Sequence, residues 1–262
     1  MFKIHASILA QLAGLVDTTE RAIETLVSSI DPEMYKSVLS EINRSYLPTT
    51  RQKTQVRGDI SMEEALYNVR ISNTTTRDKI DAGYNVRYSC MKKFGNKGER
   101  ESKDCVEKLL NIKKWKLVEF LSPLKHEKEY TCLTPNGPVQ LRITGRLDGV
   151  AKSKNASAVV EIKNRVFKLE YSPREYEMWQ VRAYMALTGI PKAFLIERFV
   201  EDHEYSSIAV FEQDEDFIQE VILENEKFKE SVGKISLFLT NRNEFKMFLL
   251  HAPCIKERPF RL

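Results

Sequence analysis

Apolar residues along the chain recur first with a helical period and then, past the middle, with the period of strands. Residues 6–46 read as helical. Ser7 to Leu15 is apolar with small residues, and Ala22, Ile23, Leu26 and Val27 form one face of a helix that Thr18–Thr19 would cap. Asp31-Pro32 opens a further helix with proline in its first turn, and Leu47-Pro48 ends it. Residues 48–60 are polar and read as a loop. A helix capped by Ser61, with Glu64 three residues on, runs to about Val69, and 70–86 is polar again.

A helix is predicted from Gly98 to Leu110, after which the pattern changes. Glu127–Leu133 reads as a strand, Pro135-Asn136-Gly137-Pro138 as a turn, Val139–Ala151 as a second strand and Ala156–Asn164 as a third. A helix follows from Pro173 to about Thr188, then strands at 192–199 and 206–211, then a closing helix from Asp214 to Val232. This order predicts an α/β protein with a mixed sheet flanked by helices. Residues 1–84 form a helical amino-terminal region and 85–262 the α/β core. No internal repeat interrupts it.

Composition changes this picture little. The chain has 262 residues, 42% hydrophobic and 30% charged, which suits a globular protein. No stretch approaches the roughly 20 apolar residues of a membrane span, and Met1 to Ala10 lacks the apolar core of a secretory signal. An intracellular protein with no membrane partner is therefore expected. Cys90, Cys105, Cys132 and Cys254 form no Cys-x-x-Cys pair, so scattered reduced thiols are expected rather than a zinc or iron–sulfur site. Charge is more informative. The net value is only +4, but Arg87 to Lys116 carries ten basic residues against four acidic ones. Such a local excess fits a polyanion such as nucleic acid as well as it fits a solvated helix face.

The candidate chemistry lies on two of the predicted strands. In Gly145-Arg146-Leu147-Asp148-Gly149 a carboxylate sits at the end of an apolar run between glycines, which allow a bend and close approach of another chain. In Val159-Val160-Glu161-Ile162-Lys163, strand alternation puts Glu161 and Lys163 on one face and Ile162 on the other. Asp148 and Glu161 are thirteen positions apart, enough for one hairpin, so neighbouring strands could bring Asp148, Glu161 and Lys163 together. Two carboxylates can hold magnesium while it keeps several waters, and a lysine beside them orients the attacking water or offsets charge on a pentavalent phosphate. Taken singly, an Asp beside Gly is more often a turn, and a Glu-x-Lys an exposed strand face.

Together with two further elements, these motifs resemble the PD-(D/E)XK nucleases, and within them the RecB-type and lambda-exonuclease-like (YqaJ) branch. The further elements are Gly95-Asn96-Lys97-Gly98-Glu99 upstream and Gln180-Val181-Arg182-Ala183-Tyr184 downstream, with Gln180 and Tyr184 on one helix face. The resemblance covers about residues 85–200 and implies a restriction-endonuclease-like core. It implies Asp148 and Glu161 as metal ligands, with the Ile162 carbonyl as another, and Lys163 as the catalytic lysine. Glu99 would bind or position a metal or water, and Gln180 and Tyr184 would orient the lysine or contact DNA. The implied cofactor is Mg2+, with Mn2+ as substitute and no iron–sulfur cluster, since only Cys254 lies beyond Gln180. Gly98 stands where many members have histidine before the helix glutamate, which weakens a second-metal argument.

The activity implied is hydrolysis of DNA phosphodiesters, with an exonuclease of recombination, repair or replication favoured over an endonuclease. A non-catalytic nucleic-acid-binding module stays as the alternative from another class. Arg87, Lys92, Lys93, Lys97, Arg100, Arg165 and Arg182 are candidate phosphate contacts, arginine being suited to bidentate pairing. Tyr84, Tyr88 and Phe94 are candidates for stacking on bases, though core packing is the commoner fate of such residues. A homo-oligomer and a single-strand annealing or replication partner are left open.

Overall fold

A computed structural model describes residues 1–16, 19–42, 102–121, 125–165, 169–199, 206–212 and 216–251. Eight strands are assigned among them: β1 (Phe2–His5), β2 (Lys116–Phe120), β3 (Lys125–Thr134), β4 (Gly137–Arg146), β5 (Gly149–Lys152), β6 (Ser157–Arg165), β7 (Lys192–Phe199) and β8 (Ser206–Glu212). The helices are α1 (Leu9–Leu12), α2 (Thr19–Ile30), α3 (Pro32–Glu41), α4 (Lys103–Ile112), α5 (Glu175–Thr188), α6 (Glu226–Thr240) and α7 (Arg242–His251). The α/β class with a central mixed sheet flanked by helices, predicted from the apolar pattern, is the class observed. Among the described residues no helix is long and apolar enough to cross a membrane.

The central sheet runs β2-β5-β6-β7-β8, and β6 and β7 are its parallel pair. Strand β6 is buried on both faces over Ala158–Ile162, as a parallel strand under helices on either side must be. On one face Val160 and Ile162 pack with Phe194 and Ile196 against Val106 and Leu110 of α4. On the other, Val159, Ala193 and Leu195 pack against Val181 and Tyr184 of α5. A second, three-stranded sheet runs β1-β4-β3. Its inner face, with Ile4, Leu141 and Ile143, joins the same large core as α2, α3, α6 and α7.

Three departures from the predicted elements have local causes. Val139–Ala151 is not one strand. It breaks at Leu147–Asp148, and the chain passes from the three-stranded sheet into the central one. Phe2–His5 is a strand within the region read as helical, because its alternating burial pairs it in parallel with Leu141–Thr144. Asp214–Val232 is not one helix. A π-helical turn at Ile218–Ile222 precedes α6, which starts where the Asn225 side chain accepts from the Phe228 N–H at 2.9 Å. Strand β2 and helix α7 were not foreseen. The predicted cap at Asp31 is present, accepting from Met34 N at 2.9 Å. The elements read between residues 43 and 101, and the boundary placed after residue 84, lie outside the described residues.

Candidate active site

Strands β5 and β6 pair antiparallel with Gly149 opposite Val160, so Asp148, one step before β5, comes level with Glu161. There the backbone ladder ends and a side chain continues it: Asp148 Oδ2 accepts the Ile162 N–H at 2.8 Å. In extended backbone the carbonyl of a residue points to the same side as its N–H, so the Ile162 carbonyl faces the gap that Asp148 occupies. The Asp148 carbonyl accepts in turn from Leu121 N, whose residue lies in the left-handed region at φ 48°. The carboxylate is thus fixed at the point where the two sheets part.

Glu161 and Lys163 share the α5 face of β6, as alternation requires. Lys163 Nζ donates to Glu161 Oε1 at 2.7 Å and to Gln180 Oε1 at 2.9 Å. Gln180 Nε2 donates to the same Glu161 oxygen at 2.9 Å and to the Tyr184 hydroxyl at 2.8 Å. The glutamine therefore holds acid and lysine at one spacing, and the tyrosine one helical turn on holds the glutamine. Burial works against the Lys163 charge, but the attraction and hydrogen bond of Glu161, with Asp148 and Glu177 behind, hold its pKa above the ordinary lysine value. Glu161 is 3% exposed, and its second oxygen, Oε2, is buried with no hydrogen-bond partner.

A bare, buried carboxylate oxygen costs several kcal/mol in an apolar setting, and a cation is one way to satisfy it. Glu161 Oε2, the neighbouring Asp148 carboxylate and the Ile162 carbonyl are all hard oxygen donors, the set that suits magnesium rather than zinc. Among the described residues no group of three or more His, Cys, Asp and Glu is gathered to hold a metal. Two carboxylates and a carbonyl remain as ligands, the rest being water. Of the described thiols, Cys132 is buried in the core, which pushes its pKa up to about 11, and it takes no part.

Gly145 makes the approach of α5 possible. A Cβ built there would lie 2.6 Å from Tyr184 Cδ1 and 2.7 Å from Cε1, with Leu187 at 3.0 Å. Gly145→Ala is expected to push Tyr184 off β4, destabilising the protein by about 1–3 kcal/mol. It should also loosen the Gln180–Lys163 contact. Thermal unfolding and the activity of the folded fraction check this, and wild-type behaviour in both would show that the helix moves freely.

The other expected site residues fall in different places. Arg165 does not grip phosphate. Its guanidinium makes paired hydrogen bonds to Glu177 Oε1 and Oε2 at 2.7 and 2.8 Å, and bonds Glu197 Oε1 through Nε at 2.7 Å and through Nη2. At 10% side-chain exposure, between two acids that are almost fully buried, it is a structural tie. Arg182 lies on α5 but turned from Gln180, its guanidinium 4.4 Å from the centre of the Phe217 ring. Glu99, Arg87, Lys92, Lys93, Lys97 and Arg100 lie outside the described residues, as do Tyr84, Tyr88 and Phe94.

Sequence reasoning missed Glu177 and Glu197. Glu177 is three residues before Gln180 and so on the same helix face, which was readable. Glu197 interrupts the apolar run Ala193–Ile196, and its Oε2 accepts from the N–H groups of Glu170 and Tyr171 and from Ser207 Oγ, at 3.1, 2.9 and 2.8 Å. On the opposite face of the sheet, Ser102 Oγ donates to Asn164 Oδ1 at 3.0 Å and tethers the start of α4 to β6.

No family model matches the chain, and no curated protein matches it in sequence. Solved structures do. An alkaline exonuclease (LHK-Exo) from Laribacter hongkongensis is 12% identical over 95% of this chain and 92% of its own, with a TM-score of 0.44. Its complex with dAMP matches at 12% identity over 94% and 91%, also at 0.44. A structure described as SSO0001 is 18% identical over 76% of this chain and 85% of its own, with a TM-score of 0.38.

Proposed function

We propose that this protein is a magnesium-dependent nuclease that hydrolyses phosphodiester bonds of DNA. One observation carries the reading: a buried carboxylate, Glu161, keeps one oxygen bare while Lys163 and Gln180 occupy the other, with Asp148 anchored one strand away. A structural ion pair has no use for such an arrangement, since a stable fold would cap the second oxygen. Glu161 Oε2, Asp148 and the Ile162 carbonyl would hold the ion. When bound, it would supply Lewis-acid polarisation of the phosphate and an acidified water.

The side chains do the rest. Glu161 and Asp148 set the negative field that localises the cation. Lys163 presents an ammonium on the same face, where it orients the attacking water and offsets charge gathering on the phosphoryl oxygens. Gln180 fixes the lysine, and Tyr184 fixes Gln180, so the geometry is preorganised rather than assembled on binding. An exonuclease acting at DNA ends is the form favoured by the motif resemblance, and Glu99 is kept in it as an additional metal or water ligand.

Purified protein incubated with end-labelled linear DNA and covalently closed circular DNA tests this. Cleavage of linear DNA with magnesium or manganese, none with EDTA, and binding without turnover in calcium are the expected results. Full activity in a chelator would overturn the metal assignment. Cutting of closed circles would replace the exonuclease by an endonuclease with the same residues. Equal binding with and without EDTA and no cutting under any metal would leave a binding module.

A further inference from the structure

The outer face of the three-stranded sheet carries the second feature of interest. Strand alternation places Lys3 and His5 of β1, Arg142, Thr144 and Arg146 of β4, and Lys125, Glu127 and Glu129 of β3 on it, opposite the core-facing Ile4, Leu141 and Ile143. Its two acids are taken up within the face. Glu127 pairs with Lys3 at 3.6 Å and Arg142 at 3.5 Å, and Glu129 pairs with Arg142 at 2.6 Å. The last rung is different. Lys125 stands directly opposite Arg146, and both residues are exposed.

Like charges facing each other across a ladder cost stability, so a fold gains nothing from this rung by itself. Its position is informative. Arg146 is two residues from Asp148, which places the two Cα atoms within about 7 Å along the chain. His5 reports the local field: burial lowers its pKa, and Lys125 and Lys3 lower it further. The end of the face nearest the carboxylates is therefore electropositive, while the far end is balanced.

We propose that Lys125 and Arg146 form a phosphate-binding rung for the DNA strand that enters the Asp148–Glu161 site, an assignment that rests on the nuclease reading above. Two cations beside two carboxylates divide the labour: the acids repel the substrate backbone unless a metal intervenes, and the rung holds the adjacent phosphate while it does. The occupant is a polyanion backbone rather than a base, because arginine and lysine here present charge without an aromatic platform.

The test is fluorescence anisotropy of a labelled DNA duplex and single strand, measured without divalent metal across a salt series. The wild type is compared with the Lys125→Gln/Arg146→Gln double variant and with a Lys154→Gln/Lys234→Gln control that removes the same charge elsewhere. The rung variant is expected to bind about tenfold more weakly, with a salt slope shallower by roughly 0.9 per lost phosphate contact, while the control stays near wild type. Turnover of bis(p-nitrophenyl) phosphate with manganese, a substrate too short to reach the rung, should be unchanged in the rung variant. An unchanged salt slope, or an equal loss in the control, overturns the rung while leaving the nuclease reading standing. Failure of the wild type to bind DNA overturns both. Folding of each variant is verified by its unfolding midpoint.

Discussion

Glu161→Gln should lower DNA cleavage at least about a hundredfold, roughly 3 kcal/mol of transition-state stabilisation, and leave the fold standing. The substitution is isosteric. The amide oxygen can keep the place of Oε1, accepting from Lys163 and Gln180. The amide nitrogen then takes the place of Oε2 and aims donors where a cation would sit. Manganese binding followed by calorimetry should weaken in parallel, which separates loss of the ion from loss of the fold. Asp148→Asn belongs to the same class. Lys163→Ala should lose as much activity at a cost in stability, because Glu161 would then be buried without its ammonium. Cleavage at the wild-type rate in Glu161→Gln would remove that residue from the mechanism.

Arg165→Ala is expected to be the most destabilising single change at the site, by about 3–5 kcal/mol, with a fall in Tm on the order of 10 °C. One guanidinium serves two almost fully buried acids, and its removal leaves both Glu177 and Glu197 uncompensated. The damage should spread to the turn after β6, since Glu197 also holds the backbone N–H groups of Glu170 and Tyr171, the latter in the left-handed region at φ 57°.

The pH dependence gives a second readout. Burial alone would raise the Glu177 pKa, but the hydrogen bond and charge of Arg165 bring it below the ordinary value of 4.5. A carboxyl depressed on folding stabilises above its unfolded pKa, and that contribution drains away as pH falls through the depressed value. Wild type should therefore lose stability on acidification below about pH 4.5, where Arg165→Ala should lose less, or gain, as the stranded acids protonate. Equal denaturant midpoints for the two proteins at neutral pH would show that the tie is dispensable.

Much of the catalytic geometry was legible in the chain because it is local. Period-two alternation alone puts Glu161 with Lys163 and turns Ile162 to the other face, and a four-residue helical step alone aligns Gln180 with Tyr184. The hairpin signal at Asn136-Gly137 and the spacing from Asp148 to Glu161 are likewise properties of short stretches. The glycine at 145 was readable as a place of close approach, though not that Tyr184 would be what approaches.

What the tertiary structure alone decided involves partners far apart in sequence. Apolar alternation runs through Val139–Ala151 without a break, yet the stretch divides at Asp148 because its first part pairs with Phe2–His5 and β3 and its second with β2 and β6. Arg165 reads as a phosphate contact from its place beside Lys163. It becomes a buried tie only when β7 brings Glu197 and α5 brings Glu177 to it. Periodicity follows from backbone geometry and is carried by neighbours in the chain, whereas the fate of a charge depends on which opposite charge the packed sheets and helices place within reach.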